Sequence, residues 1–286
     1  MRYESPQTMD EAVALMAAAT GQARVLAGGT DLLVQLRSDM IEPDLVVDIK
    51  HIDGMRSISE EDGGYRIGAA VSAAELGEHE GVKRLSPGLV EAAELIGSTQ
   101  IQGRATMVGN LCNASPAADS VPALIAAGAV ATIVGPDGQR DLPVEDIATG
   151  PGETSLGKGE IVASLFLPAQ LAHTGDAYLR FIPRTEMDIA VVGAGVSVTL
   201  DDGGTCTAAR VALGAVAERA LLVSDAAAAL VGSTGDDDAM ARLAAAASAA
   251  CRPIDDKRGT KEFRTQVAGV LARRTAALAF ERARKA

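Results

Sequence analysis

Two short glycine-bearing segments carry the residues best suited to chemistry. Ala27-Gly28-Gly29-Thr30-Asp31 follows Arg24-Val25-Leu26 and runs on into Leu32, and Thr106-Met107-Val108-Gly109-Asn110 leads into Leu111-Cys112-Asn113-Ala114-Ser115-Pro116. Glycine has no Cβ to hold a ligand off the backbone and reaches positive φ at little cost, so consecutive peptide N–H groups can converge on an anion. Asn110, Asn113, Ser115 and Asp119 add side-chain hydrogen-bonding groups after the second segment. Bare main-chain donors next to such groups suit a polyol phosphate, and two such bends together suit a dinucleotide gripped at its pyrophosphate.

The elements that must position these bends are legible from spacing. Thr8-Met9-Asp10-Glu11 has the spacing of a capping box and predicts a first helix through Val13, Leu15 and Met16. A strand over 24–27 then enters the first bend, a helix containing Leu32, Leu33 and Leu36 leaves it, and 44–49 forms another strand. The polar stretch after His51 closes a first unit, 1–53. A second unit, 54–171, opens with a strand over 65–71 and the capping box Ser72-Ala73-Ala74-Glu75, followed by a helix through Leu89 to Ile96. Residues 97–106 read as loop. Asp119 or Ser120 caps a helix with Pro122 near its start, Gly135-Pro136-Asp137-Gly138 turns a hairpin, and 161–167 is a strand. Residues 172–286 form a further domain with a long strand over 189–200, an antiparallel return over 205–213, alanine-dense helical stretches over 224–230 and 236–249, and a helix over 263–284 that spaces Val267, Val270, Leu271 and Leu278 along one face with arginines on the other. The fold class is α+β.

Composition excludes several functions. A net charge of −12 attracts no phosphate backbone, and three Tyr, four Phe and no Trp offer no stacking platform, so nucleic acid is not an expected partner. The longest apolar run, 121–134, is interrupted by Pro122, Gly128 and Thr132 and falls short of the roughly 20 residues of a membrane span. Cys112, Cys206 and Cys251 are widely spaced, and the start of the chain has no signal-peptide pattern, which together predict a reduced, cytoplasmic protein. His51, His79 and His173 have no metal-ligand spacing and are expected at the surface. Arg184, Glu186 and Asp188 are expected to fix the last domain against the preceding one. No serine stands in a recognisable relation to a histidine, so hydrolase chemistry has no support.

With these residues in view, the two bends, the run Ala114-Ser115-Pro116-Ala117-Ala118-Asp119, and the later segments Arg184 to Ala190, Arg210 to Val216 and Pro253 to Gly259 resemble the FAD-binding medium subunits of molybdenum hydroxylases. That family includes the xanthine dehydrogenase and carbon monoxide dehydrogenase medium chains. The likeness covers essentially the whole chain. It implies a two-subdomain FAD-binding domain of the vanillyl-alcohol-oxidase-like (PCMH) type, 1–171, followed by a C-terminal domain, 172–286, with a three-stranded antiparallel sheet and helices. It implies further that Ala27, Gly28, Gly29, Thr30, Asp31 and Leu32 contact FAD together with Thr106, Val108, Gly109 and Asn110, that Asn113 and Asp119 lie nearby, and that Ile96 lies beside the ring system. Asp31 is an awkward neighbour for a diphosphate, so its carboxylate is expected to cap the following helix while its N–H faces the ligand. The family pattern is usually Thr-x-Gly-Gly-Asn, and Val108 stands at the first glycine. A β-branched residue resists positive φ, so Val108 is expected at negative φ.

Two [2Fe–2S] clusters would take roughly eight cysteines, four per cluster, and this chain has three. The resemblance therefore implies a large molybdenum-cofactor subunit and a small iron–sulfur subunit as partners, assembled as a dimer of heterotrimers. Electrons would leave substrate at molybdenum, cross the clusters, reach FAD and pass to NAD, oxygen or a quinone-type acceptor, with no catalytic residue on this chain. Two other readings stay open. A self-sufficient oxidase of the vanillyl-alcohol oxidase type shares the cradle but adds a substantial substrate domain, whereas a cofactor-free scaffold has Val108 as its support. The Gly-Gly-Thr-Asp bend leans toward xanthine-dehydrogenase-type subunits, since Gly-Gly-His-Ser is common in the carbon monoxide dehydrogenases.

Overall fold

A computed structural model describes residues 1–185 and 187–286. The first layer is a small parallel sheet. β1 (Arg2–Glu4), α1 (Met9–Ala18), β2 (Ala23–Leu26), α2 (Leu32–Arg37) and β3 (Leu45–Asp48) give the strand order β1-β3-β2, with Leu45 to Val47 of the central strand buried on both faces. Thr8 caps α1, its hydroxyl accepting from the Glu11 N–H at 3.2 Å, as the spacing predicts.

The second layer is an antiparallel sheet flanked by short helices. β4 (Ile58–Glu61) and β5 (Gly64–Gly68) precede α3 (Ala73–Glu78), α4 (Glu80–Leu85), α5 (Pro87–Glu94), α6 (Thr99–Gln102), α7 (Met107–Cys112) and α8 (Ser120–Ala126). β6 (Val130–Gly135), β7 (Gly138–Pro143), the ribbon β8 (Ala148–Gly150) and β9 (Glu153–Thr154), and β10 (Ile161–Leu167) follow, and the sheet order is β4-β5-β10-β6-β7. Ser72 and Glu75 make both halves of a capping box at the start of α3. The segment expected as loop, 97–106, instead contains α6, and the second glycine bend is itself the first turn of α7.

The third layer is β11 (Thr174–Phe181), β12 (Val192–Leu200), β13 (Cys206–Gly214) and β14 (Leu221–Leu222), antiparallel in that order, with α9 (Ser224–Ala228), α10 (Asp237–Ala250) and α11 (Lys261–Ala283). Three long strands accord with the expected sheet. The two-residue β14 adds a fourth edge, too short to leave a periodic trace.

α8 joins the layers. All its residues are buried, and backbone at Gly195 and Gly214 approaches Pro122 so closely that a Cβ would stand 2.4 Å from the Pro122 carbonyl oxygen and 2.8 Å from its Cγ. Tyr178, Ala212 and Ala220, from the third layer and the loop that follows β13, belong to the same apolar core as the first two layers. A second core lies between the last sheet and α10 and α11.

Candidate functional site

The parallel sheet delivers the first bend. β2 ends at Leu26, and Gly29 turns the chain at φ 78°, a conformation that favours glycine. Helical winding then starts at once: the Gly29 carbonyl accepts from the Leu33 N–H and the Asp31 carbonyl from the Gln35 N–H, both at 2.9 Å. Asp31 is already helical (φ −89°, ψ −48°) and its carboxylate makes no capping bond, which corrects the expectation for that side chain. Winding begins two residues before it, at a glycine with no side chain to cap with. Among the described residues, the N–H groups of Gly28 through Leu32 donate to no protein acceptor. A helix N-terminus leaves such donors exposed and carries partial positive charge.

The second segment reaches a similar result by another route. Thr106 has extended backbone and its hydroxyl accepts from the Gly109 N–H at 2.9 Å, while its carbonyl accepts from Asn110 N–H at 2.9 Å. These bonds wind Met107 to Cys112 into α7, and Val108 lies within that helix, not among the positive-φ residues, as expected for a β-branched side chain. The N–H group of Val108 is left without a protein acceptor among the described residues, whereas Met107 is buried and does not line the cavity that opens between the two segments.

The two segments touch. A Cβ on Gly28 would sit 1.8 Å from the Arg104 carbonyl oxygen and 3.1 Å from Ala105 Cα, so backbone packs on backbone just before Thr106. Between them opens a cavity of about 600 Å³. Every residue from Ala27 to Leu32 lines it, as do Ile96, Thr106, Val108, Gly109, Asn110 and Asn113. The neighbouring amides have structural duties: Asn110 Oδ1 accepts from the Ser120 hydroxyl at 2.7 Å, and Asn113 Oδ1 accepts from Gln35 Nε2 at 3.1 Å, tying α7 to α2. Each keeps its own NH₂ as a donor.

Asp119 stands apart from the other candidates, because it does not line the cavity. Its carboxylate pairs with Arg180 Nη1 at 2.8 Å and accepts from the Tyr178 hydroxyl at 3.3 Å, and Arg180 donates also to the Leu95 carbonyl at 2.8 Å. Burial pushes the Asp119 carboxyl up to about 6 against the pull of Arg180, and burial together with the Asp119 charge raises the Tyr178 hydroxyl. Asp119 thus reaches the cavity wall indirectly, through Arg180 and the backbone beside Ile96. Deeper at the same junction, Asp176 accepts from Ser86 Oγ and from the Gly88 N–H, and burial raises it to about 6.

A third wall was not foreseen from the sequence. Residues from Gly152 to Val162 close the cavity opposite the bends, with Met16 and Ala19 of α1 and the Met40-Ile41 pair completing it. Its one visible signal is Gly157-Lys158-Gly159 directly before β10. Gly159 holds φ 86° and seats the strap on α1, where a Cβ would lie 2.9 Å from that of Ala17. Arg184 pairs with Asp188 at 3.0 Å and Asp188 with Arg258 at 3.2 Å, so among the described residues these ion pairs stay within the C-terminal layer and do not bridge to the preceding one; Glu186 lies outside the described residues. His79 is half-buried, its Nδ1 accepting from the Val82 N–H to cap α4. No group of three or more His, Cys, Asp or Glu side chains among the described residues could hold a metal.

The donor set fits a dinucleotide: unpartnered N–H groups from two helix starts face one cavity, whose volume is in the range of ligand pockets. Comparison with known proteins agrees. Residues 1–170 match the family model of the FAD binding domain in molybdopterin dehydrogenase, and residues 177–279 match the CO dehydrogenase flavoprotein C-terminal domain. The chain is 32% identical over 280 residues to the carbon monoxide dehydrogenase medium chain of Hydrogenophaga pseudoflava, covering 98% of this chain and 97% of that one. It is 36% identical over 203 residues to the xanthine dehydrogenase FAD-binding subunit of Escherichia coli O157:H7, covering 70% and 69%. A solved carbon monoxide dehydrogenase from Hydrogenophaga pseudoflava superposes with a TM-score of 0.94 at 34% identity, over 99% of this chain and 98% of that one. No helix among the described residues is long and apolar enough to cross a membrane.

Proposed function

We propose that this chain, which belongs to the family of FAD-binding medium subunits of molybdenum hydroxylases, is the electron outlet of a cytoplasmic three-subunit complex. Electrons arrive from the [2Fe–2S] clusters of a small partner subunit and leave to NAD, oxygen or a quinone-type acceptor, while the organic or gaseous substrate is oxidised on a large molybdenum subunit. In this reading 1–171 is the FAD-binding domain, 172–286 the C-terminal domain, and the complex a dimer of heterotrimers. Bound FAD supplies the exchange between one-electron and two-electron steps.

The protein's own residues bind and orient. The N–H groups of Gly28 to Leu32 and of Val108 grip the diphosphate, the amides of Asn110 and Asn113 face the ribityl chain, and Ile96 packs beside the ring system. Arg180, held by Asp119, fixes the backbone at Leu95 and so the position of Ile96. The observation that carries the proposal is the meeting of unpartnered main-chain donors from two separate segments, 28–32 and Val108, at one cavity.

The test begins with the full chain, purified with whatever subunits accompany it. A visible flavin spectrum, with FAD released by acid at about one per chain, is the expected result. The flavin should be reduced by dithionite, NADH or an added iron–sulfur subunit. Reduction by an organic substrate without any partner would replace the electron-outlet role with that of an oxidase, and a colourless chain that takes up no FAD would reduce it to a scaffold.

A further inference from the structure

We propose that Lys158 and Arg24 form a charge clamp on the diphosphate of the bound dinucleotide, an inference that rests on the FAD reading above. Two acidic side chains line the cavity, Asp31 and Glu160, and two basic ones, Arg24 and Lys158. Glu160 is engaged elsewhere: its carboxylate takes Arg140 Nε and Nη2, both at 2.7 Å, and the Gly157 N–H at 2.6 Å. Asp31 has no basic partner among the described residues and stands in the bend whose N–H groups would meet the phosphates. Main-chain donors supply hydrogen bonds and partial charge but no net charge, so a ligand with two phosphate charges beside Asp31 needs cations from the surrounding walls.

Lys158 and Arg24 meet that need. No carboxylate among the described residues pairs with either, and the only polar contact of the Arg24 guanidinium is a long one, 3.5 Å, from Nη1 to the Ala23 carbonyl. They come from two different walls, β2 and the strap before β10, and both walls are fixed. The strap is anchored by the Glu160 bonds and by Gly159, which would bring a Cβ within 2.9 Å of Ala17 and 3.0 Å of Pro136. The cation is therefore presented on a braced segment, in a chain whose net charge of −12 would otherwise repel the ligand.

The decisive experiment strips flavin from the full chain with its co-purifying partners and titrates FAD by fluorescence at low and high salt. Lys158→Gln and Arg24→Gln should each weaken FAD binding by about tenfold at low salt, the size of one charge-assisted bond to phosphate. Lys158→Glu should weaken it further, and high salt should shrink every difference. ADP, which carries the diphosphate, should lose affinity in parallel, whereas riboflavin, which carries none, should bind wild type and variants alike. Lys285→Gln makes the same charge change at a lysine paired with Glu281 and should leave FAD binding unchanged. If wild type binds FAD and both Gln variants bind it equally with the same salt dependence, the clamp is overturned while the flavin site stands. Equal losses for riboflavin and FAD would overturn it too, by assigning both residues to the shape of the pocket. A wild-type chain that binds no FAD would overturn the functional reading itself.

Discussion

The cavity between the two glycine segments and the junction between the second and third layers are both polar, yet they are built from opposite materials. At the cavity, backbone N–H groups lie bare, and the Asn110 and Asn113 side-chain carbonyls are held by Ser120 and Gln35. At the junction, charged side chains find partners: Arg180 with Asp119, which is buried, and Arg282 with Glu91 and Arg210 with Glu145, which stay partly exposed. The difference teaches where each device is useful. Main-chain donors are held by the fold and lose no rotamer freedom on binding, so they suit a ligand that must be seated in one pose. Buried ion pairs gain little net stability against desolvation, but they penalise any misdocking of the two domains.

Breaking the junction should give the largest loss of stability. Arg180→Met leaves the Asp119 carboxylate buried without its partner, and a cost of about 3–5 kcal/mol is expected in urea unfolding. Adding Asp119→Asn should recover much of that loss. If the double variant is as unstable as the single, the junction works by packing and the contrast fails.

Breaking the cavity should instead strike the flavin first. Gly28→Ala drives a Cβ into the Arg104 carbonyl and pushes the two segments apart, with about 1–3 kcal/mol lost in thermal unfolding but most of the bound FAD gone from the acid-released count. Retention of full flavin by this variant would show that the close approach of the two backbones is not what forms the cradle. A smaller effect distinguishes side chain from backbone at Val108. Replacing it with the glycine usual at that position removes a buried side chain from a helix, so about 2 kcal/mol of stability should be lost with no gain in FAD affinity.

The finest test uses protons. Burial raises Asp176 to about 6, above the value of about 4 that an unfolded chain gives it. Between these values the folded protein binds more protons than the unfolded one, so this group's contribution to stability falls as pH rises from about 4 to about 6 and is flat above. Asp176→Asn should remove that decline, at most about 1 kcal/mol per pH unit, in melting curves taken across the window. An unchanged pH profile would place the titration elsewhere.

What could be read from the sequence follows from which interactions are local. The Thr8 and Ser72 caps, the hairpin at 135–138 and the strand Ile161–Leu167 each depend on neighbours a few residues away, and each was visible as a pattern. The two glycine segments were visible for the same reason. β11 was not: Thr174–Phe181 carries Gly, Asp and Arg within the strand because the Asp176 and Arg180 side chains meet Ser86 and Asp119 and the Tyr178 N–H donates to Glu91, all distant in sequence. α7 was hidden because Thr106 and Gly109 read equally as turn residues, and only the hydroxyl bond between them makes them a helix start. The strap from 152 to 160 has no periodicity, and its place over the cavity depends on a contact with Ala17.

That strap also sets a timetable. The cradle draws on the bend after residue 26, the helix after residue 106 and a wall that ends at residue 162, so a chain still emerging from the ribosome owns no complete pocket until more than half of it has been made. Cofactor capture is then a late event that rewards only molecules whose distant parts have already met, and loading with flavin becomes a natural inspection of finished folding.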